Sequence, residues 1–414
     1  MQNLVNPEFI ISGVGVLTPI GVGRTQFADG LISGRSSFGV MRRSGRQRGT
    51  EFLGAELPDL ACPKVLPEKL WRSATLSAQA ALVALCEAWQ DANLAAVDSQ
   101  RIGLVVGGSN FQQRQIVQLQ DAYRERFDFV RPNYALNFMD TDLCGVCTEG
   151  LNIRGLAYTI GGASASGHLA IIQALQAVQT GQVDVCIAVG ALMDLSYWEL
   201  QALRFSGAMG SDRFAKNPSL ACRPFDSERD GFIFSECCAA VVVERADGIK
   251  RENVNPYAAF RAWATAFDGN RNPDPSLDGE IAALQRVLAD GGLTPRDIDY
   301  VNPHGSGSIV GDAIELDAIR ACGLDHAYIN TTKSLTGHGL SAAGATEIVA
   351  TVLQMRAGML HPSRNLSQPI DPTLNWVGEN AVPHPINRAV NISLGFGGIN
   401  TAICLQRCSS KNEQ

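Results

Sequence analysis

The 414-residue sequence is short of charge and of aromatic rings, with 18% charged residues and 7% aromatics. It has no continuous basic run, and its net charge is −7. Nucleic acid and anionic membrane both call for a concentrated positive face, so neither is expected as a direct partner. No apolar stretch reaches the length of a membrane-crossing helix. The N-terminus lacks the charged-then-apolar layout of a secretion signal, so a cytoplasmic location is expected. Eleven cysteines are scattered along the chain, and Cys144-Gly-Val-Cys147 has no second pair of the kind a metal site wants. They read as reduced core residues, Cys237 and Cys238 included. Gly13 and Gly15 begin a dinucleotide fingerprint, but its third glycine is missing and Pro19 breaks the helix that would follow. No motif requires a metal or an organic cofactor.

What is present is a globular composition, 45% hydrophobic, long enough to bury a large core. Buried-strand runs at Phe9–Val14, Ile102–Val106, Val183–Val189, Ile298–Val301, Ala327–Asn330, Ala389–Leu394 and Thr401–Leu405 alternate with helical stretches. This argues α/β architecture with mainly parallel sheets. The chain divides near residue 250 into halves 1–250 and 251–414. Each half carries a Gly/Ala/Ser-rich helix, 164–179 and 340–356, as an internal duplication would. Residues 24–66 read as loop-rich, 67–94 as a long helical stretch and 232–244 as two short strands or a hairpin. Asp278 reads as the cap of a helix closed by Gly291-Gly292, and 409–414 as a frayed tail. The patch Arg42–Arg48 reads as a solvated face or, more sharply, as a docking surface for a carrier protein.

Four stretches carry possible chemistry. Gly161-Gly-Ala-Ser-Ala-Ser-Gly-His168 puts Ser164 where a loop becomes a buried helix. Free N–H groups and the positive end of the helix dipole gather there, suiting a nucleophile or an oxyanion. A serine there is also often only a helix cap. His168, four residues on, shares a helix face with Ser164 unless the helix carries it away from the site. His304 lies in Asn302-Pro-His-Gly-Ser-Gly-Ser308 and His338 in Thr336-Gly-His-Gly339, both in glycine-flanked turns after strands. Lys333 taken alone is a surface lysine, and Phe396 in Gly395-Phe-Gly-Gly398 is an ordinary aromatic. His326, His361 and His384 fall outside every motif.

In order and spacing these stretches resemble the β-ketoacyl synthases of fatty acid and polyketide synthesis. Arg223–Gly231 and Gly13–Gly21 extend the likeness, which runs from about Phe9 to Leu405. The resemblance implies a thiolase-type fold, two similar βαβαβ halves stacked in five layers (α-β-α-β-α). It implies that His304 and His338 bind the thioester carbonyl of a malonyl group on the phosphopantetheine of an acyl carrier protein. It further implies a buried Lys333 paired with Glu347, a gating Phe396, and Ser306 and Ser308 in place of the usual threonines. Residues 113–155 would form an acyl tunnel and part of a homodimer contact.

The sequence departs from the family at one decisive point: Ser164 stands where the active-site cysteine belongs. A serine hydroxyl is far less acidic than a thiol and needs a well-placed base to accept an acyl chain. Decarboxylation needs only a bound carbonyl and a stabilised enolate. The chain therefore resembles the free-standing family members that convert malonyl- to acetyl-carrier protein. Those serve polyketide β-branching beside enzymes like hydroxymethylglutaryl synthase and enoyl-CoA hydratase. The competing readings are a serine acyltransferase with His304 as base, and a silent partner like a chain-length factor. An α/β-hydrolase fails because Gly162-Ala-Ser-Ala-Ser166 lacks the last glycine of the nucleophile elbow.

Overall fold

The computed structural model describes residues 8–249 and 251–408. The expected tail, 409–414, lies outside them. Ten strands form the continuous path of the 11-stranded main sheet, the short Gly21–Val22 pairing at its side with the first: β1 (Phe9–Thr18), β2 (Ile102–Gly107), β3 (Ala157–Ile160), β4 (Val185–Gly190), β5 (Cys238–Arg245), β6 (Ala259–Phe267), β7 (Tyr300–Asn302), β8 (Tyr328–Ile329), β9 (Arg388–Gly395) and β10 (Ile399–Gln406). Their order is β3-β2-β4-β5-β1 followed by β6-β10-β9-β7-β8. The two half-sheets join through the antiparallel pairs Phe9–Phe260 and Ile10–Ala259. In each half the inner two pairings are antiparallel and the outer two parallel. The sheets are therefore mixed, not mainly parallel as expected. Strands buried on both faces read as continuous apolar runs in either orientation, so the sequence pattern does not separate the two cases.

The principal helices are α1 (Arg24–Ile32), α2 (Leu76–Asp91), α3 (Ser166–Gln179), α4 (Leu277–Gly291), α5 (Gly311–Ala321) and α6 (Ala343–Ala357). α2 covers the outer face of the first half-sheet and α4 the outer face of the second, with α5 packed on α4. α3 and α6 lie in contact between the half-sheets, giving the five layers. They approach closely because glycine faces backbone. A Cβ on Gly167 would sit 2.6 Å from Ala345 N, and one on Gly344 would sit 2.7 Å from the ring of His168.

Several local expectations are corrected. Residues 24–66 are largely loop, as expected, and also hold α1, packed through Phe27 and Leu31. The stretch 67–94 is two helices, broken at Ala74-Thr75 where Thr75 caps α2. Of the two readings of 232–244, two strands hold, Phe234–Ser235 and β5, and they are no hairpin because they belong to different sheets. Ser276, not Asp278, caps α4 by accepting from Gly279 N. The strand β6 and helix α5 were not anticipated.

The Arg42–Arg48 patch faces partly inward. Arg46 is fully buried, paired with Asp194 at 2.9 Å and with Glu236 at 2.6 Å, its guanidinium over the Phe234 ring. Arg43 also binds Glu236, at 2.7 Å. Arg46 is closed to solvent, and Arg43, 20% exposed, already has its charge engaged. The network fastens the segment on which the active-site loop hangs, because His338 N donates to Ile233 O and Ser235 N donates to His338 O. Arg46→Ala would remove the fully buried cation shared by Glu236 and Asp194, leaving Glu236 paired with Arg43 and Asp194 with Arg114. The variant should lose about 1–3 kcal/mol of stability, seen as an earlier thermal or denaturant unfolding transition.

Candidate active site

The two central helices begin in the same unusual way. Each is preceded by a one-turn 3-10 segment, Ala163–Ala165 before α3 and Leu340–Ala342 before α6. Each segment opens with a non-glycine residue in the left-handed region, Ala163 at φ 47° and Leu340 at φ 50°. Such a conformation costs on the order of 1–2 kcal/mol and persists only where the surroundings enforce it. Here it brings Ser164 and His338 together, with Ser164 Oγ 3.1 Å from His338 Nε2. Ser164 does not cap the helix: Ser166 Oγ ties that turn, accepting from Gly162 N and donating to Ala163 O.

His304 follows β7 and faces His338, the ring centroids 5.2 Å apart and the planes near perpendicular. Its turn is held from below by α5. Glu315 accepts from the backbone N–H of His304 and Gly305, and Asp312 accepts from Gly307 N and Phe225 N. Burial pushes both carboxyls up, against the hydrogen bonds that favour their charged forms. Glu280 on α4 lies beside them, 1% exposed, with both oxygens unpaired, and burial and its acidic neighbours lift it well above the usual carboxylate range. Sequence reading missed this cluster. The acids three apart on the buried face of α5 were its signal, but α5 itself went unassigned.

Lys333 and Glu347 form a buried ion pair, as the resemblance implied, and neither is an ordinary surface residue. The Lys333 ammonium also donates to His304 O and lies 3.5 Å from His304 Nδ1. An ammonium only donates, so His304 Nδ1 is held as an acceptor and its proton is on Nε2. His338 reaches the same tautomer by another route, because its Nδ1 accepts from Leu340 N at 3.2 Å. Burial and then the Lys333 charge push both imidazoles well below the ordinary histidine pKa. Both rings are thus neutral and present Nε2–H donors.

His168 does not pair with Ser164. It is wholly buried, its Nδ1 3.0 Å from Thr401 Oγ1, and its pKa falls to about 3 through burial and the Lys333 charge. The helix carries it away from the site toward α6. Ser164, His304, His338, Ser306, Ser308 and Phe396 all line one cavity of about 690 Å³. Phe396 stands 45% exposed at its wall. Glu280 lines the same cavity.

Known proteins place this arrangement. Family models match as the N-terminal domain of β-ketoacyl synthase over residues 8–248 and the C-terminal domain over 257–367. The polyketide biosynthesis malonyl-ACP decarboxylase PksF of Bacillus subtilis is 56% identical over 400 residues, covering 97% of this chain and 96% of that one. The 3-oxoacyl-[acyl-carrier-protein] synthase 2 of Coxiella burnetii is 29% identical over 411 residues, covering 96% and 98%. A β-ketoacyl synthase from Burkholderia phymatum superimposes with a TM-score of 0.88 at 26% identity, covering 97% of this chain and 100% of that one. A type II polyketide ketosynthase structure in complex with its acyl-carrier protein gives 0.86 at 25% identity, covering 98% and 100%. The chain belongs to the β-ketoacyl synthase family.

Proposed function

We propose that the protein decarboxylates a malonyl thioester on an acyl carrier protein to the acetyl thioester, without condensation. The observation that carries this reading is the pair of neutral histidines, each with its proton on Nε2, beside a serine that no base touches. His304 and His338 donate to the thioester carbonyl oxygen. As the bond to the carboxylate carbon breaks, charge moves onto that oxygen, and two preorganised donors in a water-poor site stabilise it there. Carbon dioxide leaves, and the enolate takes a proton at carbon to give the acetyl group. Lys333 and Glu347 set the tautomer and the field. Ser306, Ser308 and Phe396 line the approach of the phosphopantetheine arm, and no metal or other cofactor takes part.

The same tautomers weigh against a serine acyltransferase. His304 has no free lone pair for the Ser164 proton, because its Nδ1 faces Lys333 and its Nε2 carries hydrogen. A silent partner is opposed by the intact histidine pair and by the 56% identity to a named decarboxylase.

The partner is an acyl carrier protein, supported by the relatives' named substrates and by the related complex. A homodimer is supported by Phe127, Phe129, Leu136 and Phe138, four exposed apolar side chains within 127–138. The acetyl product suits a β-branching step in the cytoplasm beside enzymes like hydroxymethylglutaryl synthase and enoyl-CoA hydratase.

Mass spectrometry of malonyl-loaded carrier protein tests the reading. Wild type should remove carbon dioxide with no acyl adduct on the enzyme. His304→Ala and His338→Ala should each slow this by about 10²–10³-fold, as loss of one oxyanion donor does. An untouched malonyl group would sink the proposal. The pH profile checks the tautomers. Because the folded pKa of each histidine is lowered, the neutral donor persists below the ordinary histidine value of about 6.5, so the rate should show no acid limb centred there. Ser164→Cys should still decarboxylate and should gain a covalent acyl adduct, visible as a mass shift on the protein.

A further inference from the structure

Stopping at acetyl raises a demand that condensation does not have. In condensation the enolate carbon is consumed by an acyl group. Here it must take a proton, and a source has to stand at the reacting atoms. This inference rests on the decarboxylase reading above.

The groups that reach that point are few. The two imidazoles hold their Nε2–H protons against the enolate oxygen, and their other nitrogens are engaged by Lys333 and Leu340. Giving up an Nε2 proton would leave an imidazolate in a buried site, which is costly. Burial and the acids Glu315 and Asp312 push the Glu280 carboxyl well above its ordinary range, but those α5 acids are its charged neighbours, and no hydrogen bond joins it to the histidine pair. Ser164 is different. Its Oγ lies 3.1 Å from His338 Nε2, and since that nitrogen carries hydrogen, Oγ is the acceptor. The serine's own proton is thereby left over. Among the described residues no acceptor takes it, and the hydroxyl lines the cavity. A hydroxyl that accepts from a histidine and has no base to receive its hydrogen is set up to donate.

We propose that Ser164 is the proton donor that quenches the enolate. When the malonyl thioester binds, the Nε2–H of His338 turns from Ser164 Oγ to the carbonyl oxygen. The carbon–carbon bond breaks, carbon dioxide leaves and its electron pair forms the enolate. The Ser164 O–H bond then breaks as a C–H bond forms at the methylene carbon. Charge passes from the enolate oxygen to Ser164 Oγ, and the His338 N–H follows it, returning to the bond seen in the free protein. The alkoxide takes a proton from water in the cavity. The net change is one malonyl carboxylate and one solvent proton converted to acetyl and carbon dioxide. On this account the serine supplies what a stand-alone decarboxylase needs, and is more than a disabled nucleophile.

The test follows malonyl-loaded carrier protein in ¹³C-bicarbonate with carbonic anhydrase, reading both acetyl formation and ¹³C entering the unreacted malonyl group. In wild type, fast protonation commits the enolate and the malonyl group stays unlabelled. In Ser164→Ala the enolate waits for water, so carbon dioxide recombines: label should enter the malonyl group while acetyl formation falls by about 10²-fold, the low end for a lost general acid. The acetyl step should also gain a solvent deuterium isotope effect. Ser164→Thr, which keeps a hydroxyl at the same position, should stay unlabelled. Acetyl formation by Ser164→Ala at the wild-type rate without label would overturn the donor role and leave the decarboxylase reading standing. A slow Ser164→Ala with no label would also overturn it, by placing the serine before bond cleavage. Failure of wild type to form acetyl would instead overturn the decarboxylase reading.

Discussion

One buried ammonium organises the site. Lys333 has three hydrogens and meets three acceptors: the Glu347 carboxylate, the His304 carbonyl and His304 Nδ1. The pair with Glu347 makes an otherwise prohibitive buried charge tolerable. The bond to the carbonyl fixes the turn, and the contact with Nδ1 fixes the tautomer. Its field reaches further, depressing His338 and His168 as well as His304. A protonated imidazole beside a fixed positive charge in a buried site would be penalised twice, by desolvation and by repulsion. The histidines are held neutral by that means, and the charge itself never needs to touch substrate.

The duplicated architecture explains how this cluster is assembled from distant sequence. Each half-sheet delivers a central helix through a strained 3-10 turn, and the two turns face one another across the contact between α3 and α6. One turn presents Ser164. The other presents the Leu340 N–H that sets the His338 tautomer. Strain in Ala163 and Leu340 is sustained by the tight packing of Gly167 and Gly344, where no side chain fits. Symmetry in the scaffold thus yields two unlike jobs, a hydroxyl and a backbone donor.

Much of this was legible in the sequence. The glycine-flanked histidines and the serine stood out because turns and close approaches demand specific residues, whereas Lys333 and Glu347 came only with the resemblance to the family. The alternation of apolar strands and helices gave the class. What stayed hidden depended on tertiary partners. The inward turn of Arg43 and Arg46 is invisible without Asp194 and Glu236, which lie about 150–190 residues away. Strand direction was lost because doubly buried strands carry no alternation. The acids under the His304 turn were missed because a carboxylate that binds backbone N–H groups looks, in sequence, like any helix-surface acid.

The tautomers bear on what the cysteine-to-serine exchange means. A thiol at position 164 ionises readily, and a thiolate would find the His338 N–H already pointing at it. The same N–H that serves an enolate would then stabilise the nucleophile, with no base required. A hydroxyl in that position gains nothing comparable: the donor holds its oxygen but cannot remove its proton. In the free protein the geometry thus favours a thiolate nucleophile, whereas an oxygen anion at Ser164 arises only once the enolate has taken its proton. On the proposed reading, one atom, sulfur or oxygen, decides whether the two donors act for acyl transfer or only for loss of carbon dioxide.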